Sequence, residues 1–206
     1  MLRWAGLALL LVASAGCVQT VKGRNLPALE EAGKLERVAV APFRVGRPFS
    51  ELASPEQARV AAALVSRHFA EGLMRRKVRV VPPGDVERVL GGMLSGEAPV
   101  PELARRVAQE FGANALVLGT VSRFVEREGR PAGATRAAWV AFHVTLHAAP
   151  GGERLWTASF DEHQKPLGQN VLDASRYPGR GLRWLTAGEL ARWGAGQVAE
   201  AMPLGH

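Results

Sequence analysis

The segment WVAFHVTLHA, residues 139–148, constrains the fold more than any other part of the chain. Val140, Phe142, Val144 and Leu146 fall on one side of an extended chain; Trp139, Ala141, His143, Thr145 and His147 fall on the other. A period of two over ten residues predicts a strand with one buried face. Pro150-Gly151-Gly152 then turns the chain into RLWTASFDEH, which alternates in the same way. Upstream, ANALVLGTVSRFVERE begins apolar and ends polar, as a strand leaving a core would, and GRPAGAT supplies the turn that follows it. The three segments predict an antiparallel meander.

A sheet with one apolar face needs helices to cover it. Ser54-Pro55-Glu56-Gln57 has the form of a capping box with proline at the first helical position. Ala58, Ala61, Ala62, Val65, Phe69 and Leu73 then recur at helical spacing, and Arg75, Arg76 and Lys77 finish the segment where cations complement the dipole. Before this helix, ERVAVAPF (36–43) reads as a buried strand ended by Pro42. After it, VRVVPP (78–83) reads as a second strand leading into a helical DVERVLGGML. SGEAPV reads as a flexible connector. Pro101 starts a further helix with Leu103, Val107 and Phe111 on one stripe, and Gly112 stops it. Thr186 and Glu189 form a second capping box, opening a last helix with a stripe of Leu190, Trp193, Val198 and Ala201. The expected fold is an α/β (α+β) sandwich: a mixed sheet of about five strands with the meander, packed by three to four helices.

The chain has 206 residues, a length that favours one domain, here over 36–204. With a single cysteine it forms no intramolecular disulfide. That cysteine ends the stretch MLRWAGLALLLVASAGC. Arg3 gives a short positive start, Leu7 to Val12 an apolar run too short to span a bilayer, and Ala13 to Gly16 the small residues of a cleavage site. The pattern resembles the bacterial lipobox, with Ser14 where leucine is usual, and implies a signal peptide over 1–16 and diacylglycerol and palmitate on Cys17. Two or more acyl chains anchor a protein stably. Val18 after the cysteine, in place of Asp, resembles the signature of sorting to the outer membrane, with the protein facing the periplasm and inner-membrane retention as the alternative. Residues 17–35, polar and broken by Gly23, Pro27 and Gly33, read as a flexible tether reaching about 60 Å when extended.

Lysine and arginine number 26 against 19 acidic residues; losing residues 1–16 removes Arg3 and no acid, which leaves a net charge of +6. The basic side chains are scattered as on a solvated surface, or serve attraction to anionic headgroups and cell-wall polymers. No nucleic-acid-binding motif occurs, and export separates the chain from nucleic acid.

Three segments in order, VAVAPF, VRVVPPGDVERVL and FGANALVLGTVSRF, resemble a group of envelope lipoprotein folds. The group includes the curli secretion-channel lipoprotein, the outer-membrane activators of penicillin-binding proteins and the amino-terminal domain of the Tol propeller protein. The resemblance covers 36–165. It implies a strand, a long helix, a second strand near an acidic helix, and a Gly-Ala-Asn element (Gly112 to Asn114) leading into a strand with Gly119 at its centre, where a neighbouring helix packs closely. The C-terminal part has no long amphipathic hairpin of the kind the curli channel inserts through the membrane.

Catalytic constellations are wanting in the sequence. His143 and His147 lie on one side of a strand about 13 Å apart, too far to share an ion. Asp161, Glu162 and His163 are strand neighbours that face alternately, and no nucleophile elbow, P-loop or GxGxxG occurs. No metal or cofactor is expected. The stretch 164–185 mixes Arg176, Tyr177, Arg180, Arg183 and Trp184 with prolines and glycines; long loops of this kind carry contacts, and aromatic and arginine side chains anchor interfaces, unless Tyr177 and Trp184 are simply buried. The expectation is a non-catalytic, lipid-anchored envelope module that binds a protein partner or copies of itself. The alternatives are a secretion-channel subunit and a wall-modifying hydrolase.

Overall fold

The computed structural model describes residues 21–47, 54–130, 133–164 and 184–204. The chain starts with strand β1 (Val21–Asn25) and one helical turn, α1 (Ala28–Glu31), then β2 (Arg37–Val40) and the short β3 (Arg44–Val45). The long helix α2 (Pro55–Arg75) leads to β4 (Arg79–Val81), and α3 (Pro83–Ser95) and α4 (Val100–Phe111) follow. Next come β5 (Ala115–Val125), a two-strand ribbon of β6 (Glu128–Arg130) and β7 (Gly133–Arg136), then β8 (Trp139–Ala148), β9 (Arg154–His163) and α5 (Ala187–Ala201).

One seven-stranded sheet runs β1-β9-β8-β5-β2-β4, with β3 also paired to β5. The fold is the expected α+β sandwich; among the described residues the main sheet has seven strands where about five were expected, and there are five helices where three to four were. β4, β2 and β5 are parallel, and β5, β8 and β9 form the antiparallel meander. Handedness then fixes the layers. The crossover from β2 to β4 through α2 and the return from β4 to β5 through α3 and α4 run in opposite directions across the sheet. Crossovers of one hand therefore put α2 on one face and the α3–α4 pair on the other.

The first face holds the larger core. Phe69 and Leu73 of α2, Leu190 and Val198 of α5, and Val140, Phe142, Val144 and Leu146 of β8 are all buried in it. Phe142 stacks on Phe160 with ring centroids 5.0 Å apart, and Trp193 meets the Phe160 edge at 5.8 Å. Both capping boxes form: Ser54 accepts from Gln57 N, and Thr186 accepts from Glu189 N. Ala201, expected in the buried stripe of α5, is exposed. Ala191, Gly194, Ala195 and Ala199 are buried instead, because α5 lies close against α2 and β9. The second core lies under α3 and α4, where Val86, Leu90, Leu103 and Val107 pack on Ala39, Ala41 and Leu116. Gly112 ends α4 in the left-handed conformation at φ 59°.

Two findings differ from expectation. Within 17–35, expected as a flexible tether, β1 pairs antiparallel with β9, from Val21 opposite Phe160 to Asn25 opposite Trp156. Its sequence, VKGRN, has no apolar alternation because the strand is held by backbone hydrogen bonds on a sheet edge and four of its five residues are exposed. Leu35 is buried in the main core as well. At Gly119 the close neighbour is the Phe43 ring, not a helix; an added Cβ would lie 2.5 Å from it.

Candidate functional site

Because α3 and α4 sit over the β4-β2-β5 side, no helix among the described residues lies across the second face of β8, β9 and β1. Register assembles what it displays. One row across the strands is Thr120, His143, Ser159 and Lys22; the next is Leu118, Thr145, Thr157 and Arg24. Residues paired directly across a ladder share a face. The result is a polar surface on half of a sheet whose other face is the main core.

The two histidines of this face are each held at both ring nitrogens. His143 Nδ1 lies 2.9 Å from Ser159 Oγ and its Nε2 3.0 Å from Thr157 Oγ1. His147 Nδ1 donates to the Gly152 carbonyl at 3.0 Å. A carbonyl only accepts, so in the neutral ring Nε2 is the acceptor, and the Thr145 hydroxyl 3.0 Å away donates to it. Burial, and then the nearby Arg154 charge, lowers the pKa of His143. His147 is 4 % exposed, and its pKa too is lowered, chiefly by burial; the bond to Gly152 opposes that shift and the Arg154 charge adds to it.

His147 also has a plain structural task. It fixes the β8–β9 turn at Gly152, whose φ is 88° and whose Cα lies so near α4 that an added Cβ would come within 2.6 Å of Pro101. The turn and the start of α4 are thereby locked together, and a crevice of about 230 Å³ opens beside them, between the sheet and the α3–α4 connection. At the opposite end of the face Arg123 stacks over Trp139 at 4.1 Å, Trp139 Nε1 donates to Asp161 Oδ1 at 2.7 Å, and the His163 ring lies 5.0 Å away.

Of the residues singled out in the sequence, Cys17, Arg176, Tyr177, Arg180 and Arg183 lie outside the described residues. Trp184 is 5 % exposed, packed rather than presented. The ends of the segment 165–183 are fixed: Gln164 N donates to the Ala138 carbonyl, and Gln164 Oε1 accepts from Leu185 N at 3.1 Å. Both flanking residues therefore sit at the Ala138 end of β8 on the main-core side, where Ala138 and Leu185 are buried. Asp161 and His163 share the Trp139 side. Among the described residues no group of three or more metal-ligating side chains occurs, and no helix is long and apolar enough to cross a membrane. Sequence reasoning put His143 and His147 on one polar face but missed Thr157, Ser159, Lys22 and Arg24 beside them. The signal for the first two was the alternation of β9; for Lys22 and Arg24 there was none.

No family model and no curated protein matches the chain. Solved structures are similar to it in chain path. The PelC dodecamer from Paraburkholderia phytofirmans shares 16% identity over 86% of this chain and 92% of that one, with a TM-score of 0.46. Lipoprotein GNA1162 from Neisseria meningitidis shares 18% identity over 68% and 94%, also at 0.46. The LpoB C-terminal domain from Salmonella enterica shares 13% over 64% and 85%, at 0.37.

Proposed function

We propose that this chain is a lipid-anchored module of the bacterial envelope that acts by binding, through the open half of its sheet, another envelope protein or a further copy of itself. The observation that carries the reading is the face of β8, β9 and β1 that no helix among the described residues covers. It offers a firm platform backed by the main core, a polar centre, and at one end an arginine–tryptophan pair of the kind that anchors interfaces. The saturation of His143 and His147 by fixed neighbours supports binding over acid–base chemistry, since neither ring holds an unengaged nitrogen for a substrate. The signal-like residues 1–16 and Cys17 support attachment to the membrane, and Val18 supports the outer membrane. Arg176, Arg180 and Arg183, with Tyr177 in the same arginine- and aromatic-bearing stretch of sequence, extend the proposed contact.

A photo-crosslinking residue in place of Trp139, in the native host's membranes, tests the reading. Discrete adducts that disappear when Arg123→Glu is added support it. A residue at Trp139 that captures nothing, while one at the exposed Arg192 on α5 captures the same proteins, refutes it. A ring of many copies of this chain, joined through the same face, favours the secretion-channel alternative. Replacing Arg176, Arg180 and Arg183 together by Ala weakens the crosslink and leaves the melting temperature nearly unchanged if they are contact residues, since solvated charges contribute little to stability.

A further inference from the structure

The crevice at the β8–β9 turn has a charge pattern that the binding platform does not account for. Arg154 enters it from β9 and Arg44 from β3, with His143 and Thr145 on its floor, Leu94 and Leu103 on its opposite wall, and no carboxylate in its lining. Among the described residues neither arginine forms an ion pair. Arg44 spends one nitrogen on the Leu94 carbonyl at 2.9 Å, and the rest of its five-donor fork has no described partner. Arg154 finds only the two histidines, both of which its charge disfavours in their protonated form. The two guanidinium groups therefore stand around one concave space with no carboxylate in its lining. The first turn of the twelve-residue α4 borders the same space through Val100 and Leu103, but Pro101 has no N–H and the Glu102 and Leu103 N–H groups bond to the Pro99 carbonyl, so the donors there are those of the side chains.

We propose that this crevice binds a phosphate ester of a small alcohol, its phosphate held between Arg44 and Arg154 and its carbon end lying on Leu94 and Leu103. Donors reach the space from two strands, Arg44 on β3 and Arg154 on β9, and so from more than one side, which suits a tetrahedral oxyanion better than a planar carboxylate. Arginine's planar fork meets phosphate oxygens two at a time. The volume equals that of roughly eight liquid waters at about 30 Å³ each, room for a phosphate with three or four carbons. Such a group occurs both in soluble esters and in the headgroups of anionic lipids.

The test uses the full chain carrying Cys17→Ser, so that no acyl chain takes part. Nuclear magnetic resonance follows the His143 ring during titration with butyl phosphate, inorganic phosphate and butylamine. The bound phosphate ester cancels the Arg154 charge, so the His143 titration midpoint rises by at least half a pH unit, whereas butylamine leaves it in place. Butyl phosphate binds several-fold more tightly than inorganic phosphate, and Arg154→Gln weakens it at least tenfold while Arg192→Gln, on the other side of the sheet, does not. Equal affinity for butyl and inorganic phosphate overturns the role of the apolar wall. An unmoved His143, or full binding by a folded Arg154→Gln, overturns the site. Vesicles of phosphatidylglycerol against phosphatidylcholine then separate the two sources. Co-sedimentation with phosphatidylglycerol that Arg154→Gln loses and Arg192→Gln keeps supports the lipid headgroup; binding of the soluble ester without it supports a free ligand.

Discussion

Arg76, the residue after the last turn of α2, donates from Nη1 to the Ala199 carbonyl at 2.6 Å. The same nitrogen reaches the Met202 carbonyl at 2.7 Å. A helix end leaves its last carbonyls unsatisfied, and α5 has no basic residue in its own last turn. Arg76 supplies the missing cation from the neighbouring helix, joining 123 residues of sequence separation. Hydrogen bonds to a charged group contribute about 1.5–3 kcal/mol. Arg76→Ala therefore lowers the unfolding free energy, read from urea denaturation, by about that amount. Arg76→Lys recovers part of it, since a single ammonium can reach one carbonyl but lacks the planar fork.

The main core predicts a pair of opposite substitutions. Phe142 is 2 % exposed, and its ring stacks on Phe160. Phe142→Ala removes the ring and leaves a cavity, at a cost of about 3–5 kcal/mol. Gly194 faces the same Phe160, with an added Cβ 2.5 Å from the ring. Gly194→Ala drives α5 off the sheet and costs about 1–3 kcal/mol, although alanine is the better helix former. A melting temperature raised by Gly194→Ala would mean that α5 does not pack here.

The histidines of the second face make stability depend on pH. Both have folded pKa values below the usual histidine value of about 6.5, so between the two values the unfolded chain binds more protons than the folded one. Their contribution is complete above about pH 6.5 and is lost as pH falls through the folded values. Protonation of His147 also removes the acceptor to which Thr145 donates. Glu71 adds a second, more acidic step. Its pKa is lowered, first by the hydrogen bond from His68, so its contribution goes only as pH falls below the carboxylate range. Melting temperatures from pH 8 to pH 5 fall for the parent chain, and fall less for His147→Gln, which already lacks the ring.

What could be read from the residues follows from which forces leave a trace in sequence. Burial on one side of β8 writes a period of two, and the orphan N–H groups of α2 and α5 write Ser54–Gln57 and Thr186–Glu189; all were legible. Contacts made by backbone or between distant partners write little. Asn114 looked like part of a Gly-Ala-Asn turn. In the fold its Oδ1 accepts from Arg37 N and its Nδ2 donates to the Lys34 carbonyl, holding the entry to β2. The hydroxyl partners of His143 depend on a register that shifts at a bulge beside Leu146 and His147, which alternation cannot reveal. The candidate face is the sum of such pairings, so the sequence showed its histidines and not its extent.

The edge strand β1 yields a prediction of its own. Its hydrogen bonds to β9 protect amides in a stretch that composition alone assigns to a tether. Hydrogen exchange in residues 21–25 is slowed well beyond that of an open chain, though less than at Val144 in the middle of the sheet. Deleting 21–25 bares the β9 edge, a template for pairing with other chains, and raises aggregation at micromolar concentration. Exchange in 21–25 as fast as in a free peptide would return the stretch to the tether.

The anchor is tested at a residue outside the described part of the chain. Leu7 to Val12 and the small residues through Gly16 lead directly to Cys17, the chain's single thiol. Each buried methylene contributes about 0.8 kcal/mol, so two or three acyl chains on Cys17 would hold the protein stably on the bilayer. Labelled palmitate is incorporated into the parent chain and not into Cys17→Ser, and the variant moves from the membrane pellet to the soluble fraction of broken cells. Since β1 begins at Val21, four residues after the cysteine, a lipid on Cys17 would also hold the sheet edge near the membrane surface. Inserting about ten Gly/Ser residues after Val18 relaxes that constraint: the crosslinked species at Trp139 change in yield if the partner sits in the same membrane, and keep their yield if it comes from solution. A Cys17→Ser chain that is still processed and still pellets with membranes would remove the acyl anchor from the account.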